Sequence, residues 1–410
     1  MGRLKRMWEA DMDRGFSEVE DTYVCQKCFT DEGVRRFITR NRSPGTCSYC
    51  NRAVKVCTLN KIIGHVMESI RLEWGDPANE GLPYETREGG WQVAKVYDTW
   101  ELLEKLGLEC SDDLLKTIAG AIHGSAWCEA NPYSLPLDRT LVYGWKSFCR
   151  FIIQTARFVF YKAENSHYDH DQHDEMNPVD ILEAIGGIVD HLDIVRVVPA
   201  NSKIFRVRIV NSKVSLTRAH ELGSPPSHLA TMPNRMSPVG ISMFYGAFEL
   251  DTAISETFDP TDSAGKKAVC GEFAAIRDLT VIDLSESFFV PSLFDPDLQK
   301  LRPHFKFMRD FIADFCKPVE RSQRAHADYV PTQVVTEYFR HVYRTPKGSR
   351  VDGIVYPSSK NGAKAIVVFA DSDACVDANS QFDSAALLRL EEVSDISLDV
   401  YQRPDDALSF

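Results

Sequence analysis

Three features of exported and membrane proteins are missing from this chain of 410 residues. No run of about 18 apolar residues occurs, because Arg150, Gln154 and Arg157 interrupt the most apolar stretch, near residues 148–161. The first residues are basic but lead into no apolar segment, so we expect no secretory signal. The 11 cysteines are odd in number and mostly scattered singly, which is typical of reduced thiols rather than of a disulfide framework. These absences predict a soluble, cytoplasmic protein without membrane association.

An excess of positive charge is also missing. The formal net charge is -12, which argues against a protein that coats nucleic acid, because phosphate binding needs a cationic surface. Residues 1–60 are the exception, since basic residues outnumber acidic ones there. We therefore expect no nucleic-acid partner except through that segment. The 44% of hydrophobic residues supplies ample core material, and the length predicts roughly two to three domains.

Two Cys-x-x-Cys pairs stand out among the cysteines. Cys25 and Cys28 precede Cys47 and Cys50 in a C-x2-C-x18-C-x2-C pattern. Zinc binds four thiolates in a tetrahedron, and each pair supplies two of them from one turn. The spacing falls within the range typical of zinc sites, and four protein ligands leave no open position. The pattern predicts a structural Zn²⁺ site.

Composition divides the chain into three regions: a zinc-ribbon module at 1–75, a helical domain at 76–190 and a third domain at 191–410. The second region has helical periodicity in TWELLEKLGL, DDLLKTIAGAI and GWKSFCRFIIQTARFVFY. The His- and Asp-rich segment 164–180 lacks regular ligand spacing, so a solvated linker is favoured over a metal site.

Strands become frequent after residue 200. KIFRVRIV alternates, with Phe205, Val207 and Ile209 on one face and Arg206 and Arg208 on the other. Further strands are predicted near residue 241 and in AVCGEFAAI, LTVIDL, DGIVY and AKAIVVF, with helices in HFKFMRDFIADFC and PTQVVTEYFRHVY. Strands and helices without strict alternation predict an α+β domain built on a mixed sheet.

Five residues of this domain are candidates for a site, although each has an ordinary structural interpretation. Arg206 lies on the polar face of a strand, and Arg235 lies in a proline-flanked loop. Tyr245 ends an apolar run, Glu256 follows on a short helix, and Ser358 comes after a buried strand that ends at a proline. Strand ends and the loops after them often carry binding groups.

Together these segments resemble one family closely. The order FRVR, LGSPPSHLATMPNRMSPVGISMFYGAFELDTAISE, LTVIDL, DGIVYPSS and IVVF is similar to the RES domain over residues 200–372. The arginine, glutamate and serine of that family match Arg206, Glu256 and Ser358, and Tyr245 matches its aromatic residue. The resemblance implies a fold similar to ADP-ribosyltransferases and an enzyme that consumes NAD.

The resemblance also implies roles for these residues. Glu256 would stabilise positive charge on the ribose as the nicotinamide bond breaks. Arg206, with Arg235 as a second candidate, would bind the diphosphate of NAD, because a planar guanidinium suits phosphate oxygens. Tyr245 would stack on the nicotinamide ring and Ser358 would position the substrate. We expect an NAD glycohydrolase or NAD phosphorylase that acts as a toxin or anti-phage effector by depleting NAD.

Two alternatives remain open. The domain could instead transfer ADP-ribose to a protein or nucleic acid, or the chain could be a zinc-ribbon binding protein with an inactive RES domain. Residues 20–185 resemble the HEPN-like region fused to some RES domains, and we expect this region to be non-catalytic. An arginine and a histidine at HEPN-like spacing occur only at 321 and 326, in the RES region. The expected partners are NAD, an antitoxin or sensor protein, and further copies of the chain in a homo-oligomer.

Overall fold

The computed structural model describes residues 11–87, 89–161, 176, 180–259, 261, 265–317, 325–381 and 384–398. The chain divides into two compact units. The first contains residues Met1–Thr140 and Phe289–Phe307, and the second contains Leu141–Phe288 and Met308–Phe410. The predicted boundaries at residues 75 and 190 stay a prediction. Most of the predicted linker 164–180, and position 321 of the HEPN-like spacing, lie outside the described residues.

Within the described residues, the first unit contains short strands and several helices. Its strands are Tyr23–Val24 (β1), Ser43–Thr46 (β2), Ala53–Thr58 (β3), Trp74–Gly75 (β4), Tyr84–Glu85 (β5), Gly90–Trp91 (β6) and Cys128–Glu129 (β7). Its helices are Glu32–Asn41 (α1), Leu59–Ile70 (α2), Thr99–Lys105 (α3) and Asp112–Ala121 (α4). Strands β1, β3 and β2 form one antiparallel sheet, while β4 pairs with β7 and β5 pairs with β6. Asp31 caps α1 by accepting the Val34 N–H at 2.8 Å, which fixes where the helix begins.

One core runs through the first unit. Ile62 of α2, Leu102 of α3 and Ile118 of α4 are fully buried in it, as is Phe294 from the later segment. An ion pair also holds that segment, because Arg36 donates a hydrogen bond to the Asp295 carboxylate at 2.7 Å. Residues 289–307 are therefore part of this unit although they come late in the chain.

The second unit is built on a large mixed sheet, as the sequence predicted. Its strands are Val195–Val198 (β8), Lys203–Asn211 (β9), Phe244–Ala247 (β10), Lys266–Ala275 (β11), Leu279–Asp283 (β12), Gly353–Pro357 (β13), Lys364–Val368 (β14), Cys375–Asp377 (β15) and Leu388–Ile396 (β16). Within the described ranges the order is β15-β16-β11-β9-β10-β14-β13-β12-β8. The pairs β12–β13 and β15–β16 are parallel and the others are antiparallel.

The remaining helices of the chain are Leu137–Gln154 (α5), Ile181–His191 (α6), Ala219–Leu222 (α7), Leu250–Thr257 (α8), Arg302–Phe315 (α9), Ala325–Asp328 (α10) and Val330–His341 (α11). No helix of the described ranges is both long enough and apolar enough to cross a membrane. Apolar packing covers both faces of the sheet. One cluster contains Ile204, Phe244 and Val269, and the other contains Val207, Ala247 and Ile254.

Three details differ from the predicted elements. Helix α5 ends at Gln154 rather than near residue 161, because the N–H groups of Thr155 and Ala156 both bond to the Phe151 carbonyl and close the last turn. Strand β10 begins at Phe244 and continues through Gly246, so the turn into α8 falls after Ala247. The C-terminal tail adds a strand that was not predicted, β16, which lies between β15 and β11.

Candidate active site and cysteine cluster

Glu256 and Ser358 form a hydrogen-bonded pair. Glu256 lies in the last turn of α8, and Ser358 follows directly after β13 with 3% of its surface exposed. The Ser358 hydroxyl donates to Oε1 of Glu256 and accepts the Lys360 N–H at 3.2 Å. Sheet and helix thus bring together two residues 102 positions apart, and the serine proton is directed at the carboxylate.

The loop between β13 and β14 holds this pair in place. The Ser358 N–H donates to the Ala363 carbonyl at 2.8 Å, and the Gly362 N–H donates back to the Ser358 carbonyl at 2.9 Å. Asn361 then reaches α8, where its Nδ2 donates to the buried Thr252 hydroxyl at 3.0 Å. A second contact, one helical turn before Glu256, therefore also fixes the helix to the loop.

Tyr245 lies in the middle of β10, where it pairs with Val367 of β14. Its hydroxyl is 2.9 Å from the Ser237 hydroxyl, and burial raises the pKa of Tyr245 to about 12, so the phenol is neutral at physiological pH. Tyr356 is two residues before Ser358 on β13. Burial first, and then the charge of Glu256, raise the pKa of Tyr356. Sequence reasoning missed Ser237 and Tyr356.

Arg235 lies in the loop before β10 and is bound to the end of a helix. Its Nη1 donates to the carbonyls of Phe315 and Lys317 at 2.7 and 2.6 Å. These carbonyls lie at the C-terminal end of α9, where unpaired acceptors and the helix dipole favour a cation. The charges of Arg235 and Glu256 also act in opposite directions on the Cys316 thiol, whose pKa burial raises to about 11. Arg235 therefore has a structural anchor, and its charge acts on the same buried thiol as the charge of Glu256.

Arg206 lies on the other face of the sheet from the Tyr245 side chain. Phe205 and Val207 pack in the cluster with Ala247, as the alternation predicted, so Arg206 faces the cluster with Phe244. Its guanidinium carbon is 5.1 Å from the Phe244 ring centroid. Strands β9 and β10 pair only at Phe205 and Ala247, within the described residues, and Arg206 Nη1 donates to the Tyr245 carbonyl at 2.9 Å. The contact between Arg206 and Tyr245 is therefore through the Tyr245 backbone.

Arg208 is a second half-buried arginine, which sequence reasoning did not select. It lies two residues after Arg206 on the same face of β9, and its Nη2 donates to the Gly223 carbonyl at 3.1 Å. The Nε atoms of both arginines are buried without a hydrogen-bond partner among the described residues. Burial lowers the pKa of both guanidinium groups. The pKa of Arg206 falls to about 10, and the charge of Arg208 is the second cause of that shift. The R-x-R spacing on a strand was the available signal.

Two like charges in a buried position are unfavourable unless a counter-charge balances them. Neither Arg206 nor Arg208 forms an ion pair with a carboxylate of the described ranges. Opposite Arg206 on β11 stands Gly271, where a Cβ atom would lie 3.3 Å from Cβ of Leu222. The pair of arginines is thus chemically suited to an anion with two charges.

The four predicted zinc ligands lie together in the first unit. Cys25 follows β1, Cys28 ends a short 3-10 helix, and Cys47 and Cys50 form a turn after β2. The Sγ–Sγ distances are 3.7 Å for Cys25–Cys28, 3.6 Å for Cys25–Cys50 and 3.5 Å for Cys28–Cys47. Thiolates about 2.3 Å from a tetrahedral zinc ion would stand about 3.8 Å apart. The cluster therefore fits a four-coordinate zinc ion.

The electrostatics of Cys47 agree with this donor set. Burial raises the pKa of the Cys25 and Cys28 thiols, whereas backbone N–H groups of Cys50, Cys25 and Tyr49 outweigh burial at Cys47 and lower its pKa to about 6. A thiolate is the form of cysteine that binds a metal.

The fold and these groups define an α+β protein whose C-terminal sheet carries a cluster of ionisable side chains. Residues 207–390 match the RES domain, and residues 40–166 match HEPN/RES N-terminal domain 1. The chain thus carries a RES domain after an HEPN/RES N-terminal domain, which confirms both resemblances. Arg235, Tyr245, Glu256 and Ser358 fall inside the RES match, and Arg206 comes one residue before it.

A search of the curated proteins finds no match. Among solved structures the chain is similar to one from the crystal structure of the M. tuberculosis MbcT–MbcA toxin–antitoxin complex, with 14% identity. The similarity covers 53% of this chain and 95% of the other, at a TM-score of 0.27. A score that low supports no structural argument.

Proposed function

We propose that the chain is an enzyme that cleaves the bond between nicotinamide and ribose in NAD. The observation that carries this proposal is the hydrogen bond between Ser358 and Glu256, which fixes a carboxylate beside a serine inside a RES domain. The family resemblance supplies the substrate, and the pair supplies the chemistry that the substrate requires.

In this reaction the electron pair of the C–N bond moves to the nicotinamide nitrogen, and positive charge develops on the ribose. The Glu256 carboxylate stabilises that charge electrostatically. Ser358 holds the carboxylate in one orientation, because its hydroxyl donates to Oε1 while the Lys360 N–H fixes the hydroxyl oxygen. Water or phosphate then forms the new bond at the ribose carbon, and water gives up its proton to the carboxylate or the solvent.

Arg206 starts from the opposite face of the sheet but donates to the Tyr245 carbonyl, so it would bind the NAD diphosphate beside the Tyr245 backbone, with Arg208 next to it. Each of these arginines has a buried Nε without a partner among the described residues, so both can still donate to phosphate oxygens. Tyr245, neutral at physiological pH, would place its ring against nicotinamide. Arg235 would act from its anchor at the end of α9 by adding positive charge near the site.

The test is nicotinamide release from NAD by the purified full-length protein, with and without phosphate. Glu256→Gln removes the charge with little change in shape and should lower kcat by a factor of 100 or more, at about 2.7 kcal/mol or above. Glu249→Gln is the matched control, because Glu249 is exposed at the start of the same helix. Absence of release from the wild-type protein would overturn the proposal.

The same assay separates the acceptors. A requirement for phosphate identifies a phosphorylase, and free ADP-ribose without phosphate identifies a glycohydrolase. Transfer of label from NAD to a macromolecule identifies an ADP-ribosyltransferase. The toxin role is tested by expressing the wild-type chain and Glu256→Gln in a host and comparing growth and NAD content. The antitoxin, the anti-phage role, the homo-oligomer and the cytoplasmic location stay predictions.

The cysteine cluster would hold a structural zinc ion. Its four sulfurs are close enough for one tetrahedral ion, and a metal there would contribute folding free energy to the first unit. Measurement of bound zinc in the wild-type protein and in Cys28→Ser tests this assignment. Equal and negligible zinc in both proteins would show that it is wrong.

A further inference from the structure

Tyr356 is a buried tyrosine whose hydroxyl group has no partner in the described part of the protein. Only 8% of this residue is exposed, and its hydroxyl makes no hydrogen bond to any residue that the structure describes. Buried hydroxyl groups are usually hydrogen-bonded, because a buried polar group without a partner costs free energy. A phenylalanine would fill the same space in a core without that cost. The hydroxyl therefore indicates a bonding partner outside the chain.

The register of the sheet places Tyr356 on the same face as the Tyr245 side chain. Tyr356 of β13 pairs with Ala365 of β14, which pairs in turn with Ala247 of β10. Directly paired residues of neighbouring strands extend to the same face, and so do residues two positions apart on one strand. Tyr245 and Ala247 are two positions apart on β10. Both tyrosines therefore extend from one face of the sheet.

The pair of Glu256 and Ser358 lies on this face too. Ser358 comes two residues after Tyr356, and its N–H donates to the Ala363 carbonyl at 2.8 Å, which continues the pairing beyond β13 and β14. The Ser358 hydroxyl donates to Glu256 of α8. Helix α8 covers this face, because its Ile254 packs in the apolar cluster that contains residues of β9 and β10. The Tyr356 phenol is therefore on the same side of the sheet as the carboxylate.

The hydroxyl groups of the two tyrosines differ in their bonding. The Tyr245 hydroxyl is 2.9 Å from the Ser237 hydroxyl and so already has a partner, whereas the Tyr356 hydroxyl is available to a ligand. Burial, and then the charge of Glu256, raise the pKa of Tyr356, although the charge of Arg235 acts in the opposite direction. The Tyr356 phenol is thus neutral at physiological pH, and it can donate a hydrogen bond without carrying a charge.

A neutral donor whose surroundings include a carboxylate suits a sugar hydroxyl. In the proposed reaction, Glu256 acts on the ribose that carries nicotinamide. A ribose hydroxyl both donates and accepts, so the same ribose can bond to the carboxylate and to the phenol. A phosphate group is a poor partner here, because the negative charge of Glu256 would repel it. The ribose that carries nicotinamide is therefore the part of NAD that matches Tyr356.

We propose that Tyr356 is a further substrate-binding residue, whose hydroxyl donates a hydrogen bond to the ribose that carries nicotinamide. This inference rests on the proposed cleavage of NAD, because NAD supplies that ribose. Glu256 and Tyr356 together would fix the orientation of the sugar at the bond that breaks. Since the phenol stays neutral and bonds to a group that is present before and during the reaction, it contributes mainly to binding.

The test is calorimetric titration of full-length Glu256→Gln protein, which prevents turnover, with NAD, ADP-ribose and ADP. NAD and ADP-ribose both contain the ribose in question, and ADP lacks it. Tyr356→Phe in this background should weaken the binding of NAD and of ADP-ribose about threefold to tenfold, which corresponds to about 0.7–1.4 kcal/mol for a neutral hydrogen bond. It should leave ADP binding unchanged. In the wild-type background, Tyr356→Phe should raise the KM of nicotinamide release by a similar factor and change kcat less.

Tyr338→Phe is the matched control. Tyr338 is 7% exposed in the same compact unit, and its hydroxyl donates to Glu183 at 3.1 Å. This variant should bind all three ligands as its parent does but have a lower unfolding temperature, because it loses a hydrogen bond. Tyr356→Phe should keep the unfolding temperature of its parent or exceed it, because no bond within the described residues is lost.

Each outcome decides the inference. Binding of NAD and ADP-ribose that Tyr356→Phe leaves unchanged overturns this inference alone, and NAD cleavage then stands. A loss for NAD without a loss for ADP-ribose overturns the assignment to the ribose, because the hydroxyl then contacts nicotinamide. An equal loss for all three ligands also overturns it, because ADP lacks that ribose. Absence of NAD binding to Glu256→Gln, together with absence of nicotinamide release from the wild-type protein, overturns both proposals.

Discussion

Replacement of Arg208 should weaken NAD binding while it leaves the stability of the protein nearly unchanged. The substitution is Arg208→Met, which retains a long aliphatic side chain and removes the charge. The pKa of Arg206 falls from 12.5 to about 10, first because of burial and second because of the charge of Arg208. The Arg208 charge is thus unfavourable for the charged form of Arg206, and its removal relieves part of that cost.

That gain is offset by a lost hydrogen bond. The Arg208 Nη2 bond to the Gly223 carbonyl, 3.1 Å long, contributes about 1 kcal/mol. We therefore expect the free energy of unfolding without ligand to stay within about 1 kcal/mol of the wild-type value. NAD binding should weaken about 10- to 100-fold, because one charge-assisted contact to the diphosphate, about 1.5–3 kcal/mol, is removed.

The assay is calorimetric titration of NAD into Glu256→Gln protein, which prevents turnover, with denaturant unfolding of the same samples. Arg350→Met is the control, since Arg350 is exposed. If Arg208→Met binds NAD as tightly as its parent, the two arginines do not serve the diphosphate. If it loses more than about 3 kcal/mol of stability, Arg208 is chiefly a structural residue.

Three further results are expected. Ser358→Ala should lower kcat more than it raises KM, and it should destabilise the fold by about 1–3 kcal/mol because the half-buried Glu256 carboxylate loses its donor. Equal effects on kcat and stability in Ser359→Ala would contradict this. Removal of zinc by a chelator should lower the unfolding temperature of the wild type but not of Cys28→Ser, as followed by calorimetry. Burial lowers the pKa of His65, although its hydrogen bond to the Phe294 carbonyl acts in the opposite direction. The folded state therefore favours the neutral imidazole, and stability should fall as the pH drops below the unfolded pKa near 6.5. This fall should be smaller in His65→Gln.

Local patterns in the sequence were sufficient for six strands of the second unit and for the cysteine cluster. The alternation in 204–209 places Val207 and Arg206 on opposite faces, because side chains of a strand alternate whatever surrounds it. The C-x2-C spacings fix two thiols per turn, and β1, β3 and β2 bring the two turns together. The family motif selected Glu256 and Ser358, which the fold places in contact.

Long-range packing decided what the sequence did not reveal. No local pattern shows that β9 and β10 share a single paired position, so the face of Arg206 relative to the Tyr245 side chain could not be predicted. The burial of Arg208 depends on α7 and the residues after it, which contribute the Gly223 carbonyl. The end of α5 at Gln154 depends on hydrogen bonds to one carbonyl, which helical periodicity does not encode.

The segment 289–307 belongs to the first compact unit although it comes late in the chain. It lies within the RES match, yet it belongs to the first unit, where Phe294 is fully buried and accepts a hydrogen bond from His65 at 2.8 Å. A Cβ atom on Gly33 of α1 would lie 2.5 Å from the Asp295 nitrogen, so a glycine is needed at position 33 for the segment to pack against this helix. A fragment that begins after residue 190 would expose Phe294, and replacement of a buried phenylalanine by alanine costs about 3–5 kcal/mol. Phe294→Ala should therefore destabilise the HEPN/RES N-terminal domain, although residue 294 lies within the RES match.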